Sequence, residues 1–203
     1  MEILEIDVVT GKKTTFAADS RRALRALLKA EVPFAVIGAT ALAARGLPRM
    51  TKDLDLVVTT DDAWEALSSL EAAGFVSAAP IDRSDEPEPM YVLTRGSSEV
   101  DLLVASGEPE STVVAEASIT KVFGVDAPTA TLEHLVLMYL YSNQLRHHAD
   151  LARIVVEAKA DLAEVERYLA EVHPEMLSVL RERVHFARNP PPAPARPPAR
   201  KRS

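Results

Sequence analysis

The sequence predicts an α+β fold, a mixed β-sheet with flanking helices followed by a small C-terminal helical bundle. Two patterns lead to this. Short runs rich in Val, Ile and Leu, several of them alternating with polar residues, fill the chain as far as Asp126 and are interleaved with helical stripes. From Pro128-Thr129 onward the texture changes to apolar residues recurring at i, i+3 and i+4, broken by short connections.

The elements follow in order. Glu2–Val9 is rich in Ile and Val, Thr10-Gly11-Lys12 is a turn signal, and Thr14–Phe16 returns as a short partner, giving a hairpin. Asp19-Ser20 offers an N-cap to a helix whose Leu24, Leu27 and Leu28 share a stripe, with Arg21, Arg22, Arg25 and Lys29 on a solvated face. Phe34 to Ile37 is a strand that reaches Gly38; a helix over Thr40–Arg45 follows, ended by Gly46 and kept from continuing by Pro48. Asp53–Val58 is the next strand. Thr60 or Asp61 caps a helix carrying Trp64, Leu67 and Leu70 inward, and Gly74 closes it. Phe75–Ala79 reads as a strand, and the acidic, proline-broken Asp82–Pro89 as a loop. Met90–Thr94 and Glu99–Val104 form two strands around the turn Arg95-Gly96-Ser97, and Ser118–Val122 with Gly124–Asp126 a further short hairpin. Helical stripes then run through Leu132–Tyr139, Leu151–Ala158, Leu162–Val172 and Leu177–Val184.

This divides the chain into a sheet domain over 1–128, a helical domain over 129–188 and a Pro-rich basic tail over 189–203. The tail has no core-forming residue beyond alanine and is expected to be disordered or polyproline-like. It carries Arg196, Arg200, Lys201 and Arg202; removing those four from the net charge of −7 leaves −11 for the body, which argues against broad nucleic-acid binding. Zero cysteines exclude disulfides and thiolate metal sites and suit a reducing cytoplasm. The N-terminus lacks the basic leader and apolar run of a signal peptide, and no stretch approaches the roughly 20 apolar residues of a membrane span, so no membrane partner is expected.

The chemistry concentrates in Pro33 to Val58. On a strand, Asp53 and Asp55 share one face while Leu54, Leu56 and Val58 enter the core. The same alternation puts Glu99 and Asp101 opposite Val100, Leu102 and Val104; Asp101 is the candidate to join the first two acids, and Glu99 reads as an exposed acid at the strand start. Converging carboxylates repel and need a compensating cation, and an oxygen-only ligand set favours Mg²⁺ or Mn²⁺ over zinc. Gly38 lets the backbone approach a phosphate without a Cβ, with Ala39 and Thr40 following at the helix start; Arg49 and Lys52 are loop cations suited to phosphates, whereas Arg45 reads as a helix-surface residue. The five histidines lack metal-ligand spacing, and Gly-x-Ser-x-Gly, P-loop and Gly-x-Gly-x-x-Gly motifs are absent.

A strand ending in Gly38-Ala39, the interval Thr40 to Lys52, then Asp53-Leu54-Asp55-Leu56 resembles the signature of the polymerase-β-like nucleotidyltransferase superfamily. The run Ala41-Leu42-Ala43-Ala44-Arg45-Gly46-Leu47-Pro48-Arg49-Met50-Thr51-Lys52-Asp53-Leu54-Asp55 is similar to its minimal branch that includes AbiEii-type toxins. The resemblance implies a nucleotidyltransferase fold and a metal-dependent reaction. Asp53 and Asp55 would hold the triphosphate-bound ion and Asp101 a second one, and an NMP would pass from an NTP to a hydroxyl of a tRNA end or a protein. Where the superfamily usually has Gly or Ser after the glycine, this chain has Ala39. Leu132–Asp150 is similar to the helical segment of related minimal enzymes, with Asp150 and Leu151 matching, His147 replacing an Asp, and Tyr139 at the lysine position; Asp150 reads first as a helix cap or structural acid. Two other readings stand beside this one: a small-molecule acceptor such as an aminoglycoside, and a catalytically inactive binding partner of a cognate antitoxin or defence assembly.

Overall fold

The computed structural model describes residues 4–6, 13–84, 86–157 and 162–189, with side chains from Phe16 onward. The Thr10-Gly11-Lys12 turn and the tail from residue 190 lie outside the described residues. Strands β1 (Leu4–Ile6) and β2 (Lys13–Thr15) pair antiparallel as a separate two-stranded ribbon, as the hairpin pattern predicts.

Helix α1 spans Phe16–Lys29, so Phe16 opens a helix rather than closing a strand. Asp19 lies within its first turn and is not the expected cap. It is buried instead, taking an ion pair from Arg95 and a 2.9 Å hydrogen bond from Ser98 Oγ, which fastens α1 to a turn far along the chain. Strand β3 (Ala35–Val36) ends at a helix, α2 (Gly38–Ala44), that begins at Gly38 itself, two residues before the expected start. Strand β4 (Asp53–Thr59) and helix α3 (Ala63–Ala72) lie where expected, with Leu67 and Leu70 buried. The residue at the helix cap is Asp62 rather than Thr60 or Asp61, and its carboxylate accepts from the Thr59 hydroxyl instead of capping the helix. Strand β5 is only Val76–Ser77; Phe75 is buried ahead of it.

Strands β6 (Met90–Arg95) and β7 (Ser98–Ala105) form the predicted hairpin. Helix α4 (Glu110–Ala115) was not legible: it is under two turns long, with Val113 its one buried residue, too short for a helical period to register. Strand β8 (Ser118–Val122) pairs with β9 (Val125–Thr129), which runs through Pro128, two residues past the predicted hairpin arm at Gly124–Asp126. Helices α5 (Leu132–Tyr141), α6 (Leu145–Glu157), α7 (Leu162–Val172) and α8 (Met176–Arg188) supply the four-helix region. Helix α6 starts six residues ahead of the expected face at Leu151, so Asp150 sits inside a helix rather than at its cap.

The main sheet is seven-stranded and mixed, in the order β5-β6-β7-β4-β3-β9-β8. Strand β4 is its middle strand, parallel to β7 and antiparallel to β3. Leu54, Leu56, Val100 and Leu102 are fully or almost fully buried in a core shared with Leu24 and Leu27 of α1 and Leu67 and Leu70 of α3. The same core takes in Leu135, Val136 and Leu137 of α5 and Leu151, Ile154, Val165, Leu169 and Leu180 of the later helices, so the helical region packs on the sheet through apolar side chains. Arg45, expected on the surface, instead closes α2 against the far side of the sheet: its Nε donates to Ala130 O at 2.7 Å and its Nη2 to Ser118 Oγ at 3.1 Å.

The Asp19 contact is open to a direct test. Asp19→Ala removes one partner of a largely enclosed pair and leaves Arg95 and Ser98 without their acceptor. Unfolding free energy in urea is expected to fall by about 2 to 3 kcal/mol, below the figure for a fully enclosed pair because Arg95 keeps some solvent.

Candidate active site

The parallel register of β4 and β7 sets Asp53 opposite Glu99 and Asp55 opposite Asp101, with Leu54 opposite Val100 and Leu56 opposite Leu102. Side chains alternate on each strand, so matching parity gathers four acids on one face and the leucines and valine on the other. These acids sit on adjacent strands in the interior of the sheet. Carboxylate oxygens of Asp53, Glu99 and Asp101 lie within 4.8 Å of one another. Glu99, read from the sequence as an exposed bystander, is therefore a member of the cluster. Its parity with Asp101 was the available signal; its pairing with Asp53 was not available without the strand order.

Asp55 lies deeper, against the glycine turn. Gly38 has φ +61°, and a Cβ built there would fall 2.0 Å from Asp55 Oδ2. The glycine is thus required twice, by its left-handed backbone and by the space the carboxylate occupies. Ile37 N donates to Asp55 O at 3.0 Å, holding the turn beside the acid. Ala39 and Thr40 are buried, the Thr40 hydroxyl has no hydrogen-bond partner, and neither side chain lines the cavity in front of Gly38.

The charges follow from this packing. Burial, then the neighbouring Asp53 and Asp101, push the Asp55 carboxyl up to about 7, with Arg146 and Arg49 acting in the opposite sense. Burial, then Glu99 and Asp53, also raise Asp101 above the ordinary carboxylate range. Asp101 Oδ1 is buried with no hydrogen-bond partner, while Asp53 accepts from the Thr51 hydroxyl. An all-oxygen set of converging acids, one of them with an unpartnered buried oxygen, fits a hard divalent cation.

The loop cations divide. Lys52 is exposed and 3.9 Å from Glu99, at the rim of the cluster. Arg49 Nε lies 3.0 Å from both carboxylate oxygens of Asp150, which is 3% exposed, so this arginine ties the loop to α6. Asp150 is a structural acid, as the sequence suggests, though through an ion pair rather than a cap.

A cavity of about 260 Å³ opens in front of the acids. Gly38, Asp55 and Asp101 line its sheet side, and Met138, Tyr139, Arg146 and His147 its helical side. Tyr139 and His147 stack at 4.9 Å between ring centroids. Burial lowers the His147 pKa, with Arg146 acting the same way, which keeps the ring neutral at pH 7. No strand or helix period could reveal that Arg146, from a later helix, faces these acids.

No protein-family model matches the sequence, and no curated protein matches it. Solved structures do. A Thermotoga maritima protein assigned to the nucleotidyltransferases is 16% identical and aligns over 68% of this chain and 91% of its own, with a TM-score of 0.51. The antibiotic-resistance factor ANT(2'')-Ia, solved in complex with adenylyl-2''-tobramycin, is 19% identical over 83% of this chain and 96% of its own, TM-score 0.49. A Helicobacter pylori protein also assigned to the nucleotidyltransferases is 15% identical over 85% and 89%, TM-score 0.49. The Thermotoga maritima likeness gives the architecture its class, which is the nucleotidyltransferase fold with a C-terminal helical region.

Two measurements probe the geometry. Gly38→Ala is expected to lower unfolding free energy by about 2 kcal/mol or more, from the left-handed backbone and the clash with Asp55 together, with the loss read by chemical denaturation. Asp55 has a folded pKa above its unfolded one, so the folded state holds the extra proton. Its contribution to stability is fully present below about pH 4 and is lost as pH rises toward about 7, at up to about 1.4 kcal/mol per pH unit. Melting temperatures of the metal-free protein across that range are expected to fall, and Asp55→Asn is expected to flatten the slope.

Proposed function

We propose that this chain is a divalent-metal-dependent nucleotidyltransferase that moves an NMP from an NTP to a hydroxyl of a macromolecule, a tRNA end or a protein, in a toxin-like role. The carrying observation is the convergence of Asp53, Glu99 and Asp101 oxygens within 4.8 Å, beside Asp55 and the Gly38 turn at the mouth of one cavity. The nucleotidyltransferase fold supports the reading.

Asp53, Asp55 and Asp101, with Glu99 added by geometry, would hold Mg²⁺ or Mn²⁺. The ion would offset the carboxylate charge, draw electron density from the phosphates and make the acceptor hydroxyl more acidic. Gly38 leaves the backbone bare where the phosphate chain approaches, and Lys52 at the rim supplies a mobile positive charge. Arg49 contributes by fixing its loop through Asp150, and Ala39 and Thr40 through their backbone rather than their enclosed side chains. In the transfer, the acceptor oxygen forms a bond to the α-phosphorus as the bond to the pyrophosphate oxygen breaks. Pyrophosphate leaves with that electron pair, and the hydroxyl proton passes to solvent.

At about 260 Å³ the cavity falls just below the usual range of about 300 to 1,000 Å³ for small-molecule sites. That size favours an acceptor that presents a hydroxyl at the mouth over a second small molecule enclosed with the nucleotide. A cognate antitoxin as partner belongs to the same proposal.

The test is incubation of the purified chain with each of four labelled NTPs, Mg²⁺, and either bulk tRNA or a cell extract, with Asp53→Asn and Asp101→Ala in parallel. Label is expected on a macromolecule with the parent chain and to drop about 100-fold or more in both variants. Transfer that persists in both variants removes these acids from the chemistry. Absence of transfer from the parent under every condition favours the inactive binding partner.

A further inference from the structure

Most polar atoms on the helical side of the cavity are already engaged. Tyr141 Oη donates to Glu175 at 3.1 Å, and Ser142 Oγ accepts from Gln144 N at 3.1 Å while lying 2.6 Å from His147 Nδ1. Gln144 Oε1 accepts from Arg146 Nε at 2.7 Å. Tyr139 is the exception. It is 3% exposed, lines the cavity with Gly38 and Asp55, and its hydroxyl has no hydrogen-bond partner among the described residues. The His147 ring stacks on the tyrosine at an interplanar angle of 29° and packs against one face of it.

An enclosed hydroxyl without a partner destabilises the free protein, and replacing it by hydrogen is expected to be neutral or stabilising. The Thr40 hydroxyl is enclosed without a partner too but does not line the cavity; the Tyr139 side chain does, so a ligand entering there is available to it as a partner. The chemistry of the two walls says which end of that ligand it meets. The side chains of the sheet wall are carboxylates, which accept hydrogen bonds when ionised, so side-chain donors that face an anionic ligand across the cavity come from the helical wall. Burial and the nearby Asp150 raise the Tyr139 pKa, which keeps the group a neutral donor. Tyr139 lines the same cavity as Asp55, the acid beside Gly38.

Resting on the nucleotide reading above, we propose that Tyr139 is a substrate contact whose hydroxyl donates a hydrogen bond to a phosphate-chain oxygen of the bound nucleotide. Arg146, on the same wall, brings the positive charge; Tyr139 brings a donor in a fixed position.

Tyr139→Phe is the test, with the full chain studied by calorimetric titration and thermal melting. The probes are Mn²⁺ alone, Mg²⁺ with tripolyphosphate, and Mg²⁺ with each NTP. The variant is expected to melt at the same temperature or higher, to bind Mn²⁺ like the parent, and to lose about tenfold or more in affinity for both tripolyphosphate and the NTP. Affinities for tripolyphosphate and NTP within twofold of the parent overturn the Tyr139 assignment while leaving the nucleotide site standing. A variant that melts several degrees lower, or loses Mn²⁺ binding, gives the hydroxyl a structural role and overturns it as well. A parent that binds Mn²⁺ but neither phosphate probe overturns the nucleotide reading itself, and this inference with it.

Discussion

The pairing of β4 with β7 is the constraint from which the site follows. Two parallel strands in the middle of the sheet, in a register that aligns Asp53 with Glu99 and Asp55 with Asp101, force like charges together on one face. The opposite face does the holding. Leu54, Leu56, Val100 and Leu102 bury apolar surface against α1 and α3, and each buried side chain of this size contributes about 1.5 to 3 kcal/mol. Core packing thus maintains an arrangement that electrostatics alone would disperse. Burial, and then the repulsion that remains, raise the proton affinity of Asp55 and Asp101.

Contacts remote in sequence fix the surroundings of that pair. Asp19 joins α1 to the β6–β7 turn through Arg95 and Ser98, and Arg45 joins the end of α2 to β8 and to the segment after β9. Arg49 joins the loop before β4 to α6 through Asp150. In each case a charged side chain spans between elements, with its partner at least partly withdrawn from water. Such bridges contribute little net stability but make wrong dockings costly, because a misplaced element would strand a buried charge. The Arg49 bridge connects the loop ahead of the acid-bearing strand β4 to the helix that carries Arg146 and His147.

The cavity has two chemically distinct sides. Acids and a bare glycine backbone come from the sheet, whereas an arginine, a stacked tyrosine–histidine pair and a methionine come from the helices. The strands and the Gly38 turn supply only one of these two sides.

Much of the local structure was legible in the sequence. Alternation in Asp53–Val58 and Glu99–Val104 assigned acids and core residues to opposite faces, and Gly38 after Phe34 to Ile37 marked the turn, because strand period and glycine's backbone freedom are local properties. Helix starts were less legible at α1, α2 and α6, since capping residues such as Asp19 also serve as buried ion-pair partners. Which strands become neighbours depends on the packing of the whole core. Tertiary structure alone therefore decided that Glu99 joins the acids, that Arg49 is held by Asp150, and that Tyr139 and Arg146 face the cavity. No periodicity along a chain carries information about the residue that will stand across a register or a groove from it.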